Sequence, residues 1–157
     1  MKLSEKATLL ALTLAVVAFS LSTLAAEPVT PKLTDKLSRV LQQEMRAIQS
    51  AMAAIHVAMV TGQHDEVASQ AQQIHDSFIL KQSLTEQDKK DLMSAVPEGF
   101  VKLDKEFHQL AASLADAAEQ KHTQKQYELY NEMTDSCIAC HSRYVSDRFS
   151  GLADQEK

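Results

Sequence analysis

Two thiols and an imidazole stand together near the end of this chain, in Cys137-Ile138-Ala139-Cys140-His141. Cysteines three apart share one face of a helix, and a histidine directly after the second lies four residues from the first, on the same side. Thiols so placed can add to the two vinyl groups of one haem while the neighbouring imidazole becomes an axial ligand of its iron. C-x-x-C-H is the spacing of that attachment. Rival chemistries need surroundings this chain lacks. A thioredoxin-type redox pair requires a βαβ context, and no strand-rich stretch lies nearby; a zinc site requires more Cys or His at ligand spacing, and no second such pair exists. The chain has 2 cysteines, so haem attachment leaves none for a disulfide.

Covalent haem attachment of this kind takes place outside the bacterial cytoplasm, and the N-terminus offers a route there. Lys2 and Lys6 give a positive start, residues 9–21 are an apolar run without charge, and Thr23 and Ala25 are small residues at its exit. That is the anatomy of a secretory signal. Cleavage is expected after Ala25, making 1–25 a signal peptide and 26–157 one exported, periplasmic domain. The competing reading is an uncleaved anchor, because the uncharged stretch 7–26 is long enough to span a bilayer. After cleavage no stable membrane insertion is expected.

At 157 residues the chain has room for one modest domain. Its formal charge is −5 at pH 7, and loss of Lys2, Lys6 and Glu5 makes the mature part more negative still. Such a balance argues against nucleic acid or an anionic membrane as partner. With only 3 Gly and 3 Pro the composition is helical.

Periodicity places the helices that must hold the haem. A first helix is expected over 34–61, ended by Gly62, with Leu37, Leu41, Met45, Ile48, Met52, Ile55 and Met59 as one apolar stripe. A second runs over 64–79 with Val67, Ala71, Ile74 and Phe78 inward. The long 81–99 connection should carry a short helix over 85–95, capped by Thr85 with Asp88 three residues on. A third long helix covers 100–121, and a fourth covers 124–149 and bears the C-x-x-C-H. Long amphipathic helices with mostly short connections predict an all-α, antiparallel up-down-up-down four-helix bundle with a short extra helix in the 2–3 connection.

In an antiparallel bundle the fourth helix ends beside the start of the first. Taking His141 as about 12 Å below that end, at ~1.5 Å per residue, the same depth on the first helix falls near Gln42 to Met45. Met45 therefore becomes the candidate distal iron ligand, its soft thioether opposite the His141 proximal ligand. The plain alternative is core packing. Of the other histidines, His56, His75 and His108 lie beside apolar positions and His64 and His122 at helix ends, where solvation or capping explains them. Arg39, Arg46, Arg143 and Arg148 are candidates for pairing with haem propionates.

The segment from Cys137 through Ser142-Arg143-Tyr144, together with Met45, Ala51-Met52 and the Gly62 turn, resembles the cytochrome c′ family of exported four-helix-bundle monohaem cytochromes. The resemblance spans the mature chain, though only C-x-x-C-H is highly specific. It implies one covalently bound haem c, Cys137 and Cys140 as thioether cysteines, His141 as proximal ligand, and Met45 near the distal position. Low-spin members have Met there, and high-spin members have an apolar residue and an open distal side. It also implies a possible homodimer. Two departures stand out: Val145 occupies a position that is basic in high-spin members, and the 81–99 insert is long.

The expected function is electron transfer by a periplasmic monohaem c-type cytochrome with His/Met-ligated iron, serving a redox protein partner. The alternative is a five-coordinate cytochrome c′ binding NO or CO. Catalysis is not expected, because it would need a distal acid–base group that the stripe residues at haem depth do not supply.

Overall fold

The computed structural model describes residues 27–79 and 84–153. The expected leader, 1–25, lies outside them, as does the start of the 81–99 connection. Among the described residues the chain is all-α, with helices α1 (Asp35–Val60), α2 (His64–Asp76), α3 (Glu86–Ala95), α4 (Glu98–Glu119), α5 (Thr123–Tyr144) and α6 (Ser150–Ala153) after a 3-10 turn at Thr30–Lys32. No helix among the described residues is long and apolar enough to cross a membrane.

Local chemistry sets most of the boundaries. Thr34 caps α1, its hydroxyl accepting from the Leu37 amide. Gly62, at φ 71°, turns the chain at the other end, where its amide bonds Met59 O at 3.2 Å and that of Gln63 bonds Ala58 O at 2.8 Å. The expected Thr85 cap is present as a reciprocal capping box with Asp88. The α4–α5 turn repeats the geometry of the first one without glycine: Lys121 sits at φ 57° while the amides of Lys121 and His122 bond Ala118 O and Ala117 O.

The third long helix, expected over 100–121, runs Glu98–Glu119, and two helices end earlier than expected. The second helix stops at Asp76 rather than 79, with Ser77 as C-cap. The last helix stops at Tyr144, not at 149. There the segment before the 3-10 turn intervenes: the Val29 amide donates to Tyr144 O at 2.9 Å, so a carbonyl that another helical turn would use is already taken.

The helices pack in chain order, α1 on α2, α2 on α4 and α4 on α5, whereas α1 and α5 meet only at isolated points. The interior has two apolar clusters. One contains Ile48, Ile55, Ile74, Phe107, Leu114 and Met133; the other contains Leu37, Ile79, Leu92, Phe100 and Tyr144. Along α1 the boundary between them falls near Glu44, along α4 near Asp104–His108, and along α5 between Cys137 and Cys140. The candidate chemistry sits at that boundary.

Candidate cofactor site

Cys137 and Cys140 lie within α5, both half-buried and neither in a disulfide. The helix buries Gln126, Leu129, Met133 and Tyr144, and the two cysteines continue that stripe at three- and four-residue steps. They serve different clusters: Cys137 packs on the Leu114–Met133 side and Cys140 on the Leu37–Tyr144 side. Burial raises the Cys137 thiol's pKa. Burial, then the negative charges of Asp104 and Cys137, push that of Cys140 up to about 12. Both sulfurs are therefore held as neutral S–H groups, the form that adds across a carbon–carbon double bond without an external proton.

His141 follows in the last turn of α5, half-buried, with burial lowering its pKa. A neutral imidazole is what iron ligation requires. Its ring stacks on Phe149, centroids 4.6 Å apart and planes 16° from parallel. The turn after Tyr144 is what brings Phe149 there; a helix continued through 149 would place these residues two turns apart along the axis.

Met45 is not where the stripe put it. It is 37% exposed, while its neighbour Glu44 is buried to 3%. The buried arc of α1 runs Leu37, Glu44, Ile48, Ala51, Ile55 and Ala58. At ~100° per residue Glu44 falls near the centre of that arc and Met45 on its flank, as does Met52. The flank that carries Met52 and His56 is the one facing α5: the Tyr130 hydroxyl donates to Met52 O at 3.3 Å and its ring lies 6.1 Å from that of His56.

Three interior groups were missed at the sequence level. His108, expected to be solvated or capping, is buried to 3%. Its Nδ1 donates to Ile74 O at 2.6 Å, and Phe78 and Phe107 lie against its ring. Its Nε2 faces Glu44 Oε1 at 3.6 Å and Asp104 Oδ1 at 3.7 Å. Burial, reinforced by Asp104 and opposed by the Ile79 amide, lifts Glu44 to about 8. Burial alone lifts Asp104 to about 6. One signal was available: the series 37, 41, 44, 48 has helical spacing as regular as one through 45, but a carboxylate is not expected inside.

Among the described residues no group of three or more His, Cys, Asp or Glu could hold a metal ion. A haem asks less of the chain, because its ring nitrogens already fill four positions on the iron. Two inward thiols, a neutral imidazole in the next position of the helix, and a neighbouring helix that is not packed down along α5 fit that demand. Compared with known proteins, the chain matches no family model, no curated protein and no solved structure.

Proposed function

We propose that this protein is an exported monohaem cytochrome of the c type that carries electrons for a redox protein partner. One observation carries the reading: Cys137, Cys140 and His141 share one unbroken helix, and both cysteines pack against the apolar interior. Haem c, once bound, supplies the redox-active iron. Cys137 and Cys140 would anchor it through thioethers and His141 would offer its imidazole, the plane of which the stacking on Phe149 fixes. The apolar residues on either side would limit the access of water to a haem held there.

In this reading α1, α2, α4 and α5 form an antiparallel up-down-up-down bundle, with α3 in the 2–3 connection. The sequential packing and the tight α1–α2 and α4–α5 turns support it. The level of Met45 then follows from Tyr130. His141 lies about three helical turns beyond Tyr130 on α5, and Met45 about three turns before His56 on α1. Met45 thus reaches haem level on the α5-facing flank of α1, although it stands outside the core. It remains the proposed distal ligand. The same exposure favours the second reading, a five-coordinate iron that binds NO or CO.

Optical spectra of the purified holoprotein, with and without CO, decide between the two. A low-spin ferric spectrum that turns high-spin in Met45→Ala, with CO excluded from the wild type, is the expected result. An unchanged ferric spectrum in Met45→Ala removes Met45 from the iron, and ready CO binding by the wild type selects the five-coordinate reading. Intact mass of the periplasmic protein tests the site itself: loss of the leader and gain of one haem is expected, and a mass without haem overturns the proposal.

A further inference from the structure

We propose that Met52, His56 and Met59, on the α5-facing flank of α1, form a binding site for copper(I) separate from the iron. The site uses none of the residues assigned to the haem and does not depend on it.

Spacing brings the three side chains together. They are four and three residues apart along one helix. At ~100° per residue they fall within an arc of about 60°, on the flank between the buried arc and solvent. Side chains at such steps are neighbours, with about 5–6 Å between their Cβ atoms. The imidazole thus has one thioether a turn before it and another a turn after it. A single cation beside His56 is within reach of both sulfurs. Met45 lies a further seven residues back from Met52, roughly 10 Å along the axis, and stays outside the set.

Availability sets these residues apart from others of their kind. His64, His75 and His108 each engage a ring nitrogen, with Gln126, the His108 carbonyl and the Ile74 carbonyl respectively. His56 is exposed, and among the described residues its nitrogens have no such bond; its ring only approaches that of Tyr130, centroids 6.1 Å apart. Met133 is 0% exposed, as a core methionine should be. Met52 and Met59 stand half-buried at the rim of the same cluster, so packing accounts for only part of their surface. Tyr130 closes the α5 side. Its hydroxyl donates to Met52 O at 3.3 Å, which holds an aromatic ring beside the three residues, and such a ring attracts a nearby cation.

The donor set selects the ion. Thioether sulfur is a soft ligand that suits Cu(I), and imidazole also binds copper. Zinc favours thiolate, imidazole and carboxylate, and magnesium and calcium favour oxygen. The acidic residues of α1, Asp35 and Glu44, are at least eight residues from this set. The ion binds as Cu(I) with no change of oxidation state.

The test is a Cu(I) titration of the haem-loaded full chain, kept reduced and free of oxygen. Its methionine methyl groups carry an isotope label, and the metal is supplied as its acetonitrile complex. The Met52 and Met59 methyl signals should shift together and saturate at one equivalent, while those of Met93 and Met133 stay. In competition with a coloured Cu(I) chelator, Met52→Leu, Met59→Leu and His56→Gln should each weaken binding by about tenfold or more, at least the loss seen when a group that merely supports a metal ligand is removed. Leucine for methionine conserves volume, so the fold is kept. Unmoved Met52 and Met59 methyls at one equivalent overturn the proposal. So does wild-type affinity in all three variants. A change in the haem spectrum with those methyls still would put copper on Met45 and overturn it too. A chain that carries no haem by mass fails the cofactor reading alone. The same titration with Cys137→Ser and Cys140→Ser in place, so that no thiol takes the copper, then decides the site by the same methyl shifts.

Discussion

Glu44 shows how one side chain can set the pH response of a whole helix. Its folded-state pKa of about 8 lies above the ordinary 4.5 because burial penalises the anion. The folded chain thus holds this proton more tightly than the unfolded chain does. Stability is greatest below about 4.5, declines as pH rises toward about 8, and is level beyond that. Asp104, lifted from 3.8 to about 6, adds to the lower part of the same decline. Glu44→Gln, which keeps the shape and removes the titration, should flatten the part above pH 6 and leave the variant more stable than wild type at pH 8. Chemical denaturation at pH 5, 6, 7 and 8 measures this, with a slope on the order of 1 kcal/mol per pH unit expected to disappear. An identical slope in wild type and variant would remove Glu44 as its cause.

At the scale of elements, the bundle is punctuated by two matching turns built from different residues. Gly62 adopts its left-handed conformation without a side-chain clash; Lys121 adopts nearly the same φ against one. The strain at Lys121 costs roughly 1–2 kcal/mol, and glycine's greater unfolded freedom offsets about half of that. Lys121→Gly should therefore stabilise the protein by about 0.5–1 kcal/mol. An increase in thermal midpoint is the expected readout, and a decrease would mean that the lysine side chain makes up for the strain. The end of α5 obeys the same accounting of backbone groups. Val29 takes the Tyr144 carbonyl, the helix ends, and the turn that follows sets Phe149 on His141.

At the scale of the molecule, the first and last long helices pack far less closely than the pairs of long helices that follow one another in the chain. A haem bound at Cys137 and Cys140 would supply the apolar surface that joins them, because a chain of this size has little core to spare. Cys137→Ala together with Cys140→Ala should lower the thermal midpoint of the purified protein. The loss of hydrogen-exchange protection should be concentrated in α1 and the second half of α5, while α2 and α4, packed along their lengths, keep theirs. Uniform loss across all helices, or none, would mean that the cofactor does not close that seam.

What the sequence by itself determined is local. The C-x-x-C-H spacing at Cys137 to His141, the Thr34 and Thr85 caps, the Gly62 stop and the helical stripes all depend on residues within a few positions of one another, and short-range stereochemistry decides them. Only the tertiary structure decided what lies opposite. It turned Glu44 inward and Met45 to the flank, because a broad apolar stripe leaves the rotation of a helix free by tens of degrees until its neighbours pack against it. It gathered Glu44 from α1 with Asp104 and His108 from α4, residues whose polar character argued separately for the surface. It also stopped α5 at Tyr144 through a hydrogen bond from Val29, at the far end of the sequence. Periodicity reports how apolar each face of a helix is; which face turns inward is settled only by the groups that the other helices bring to it.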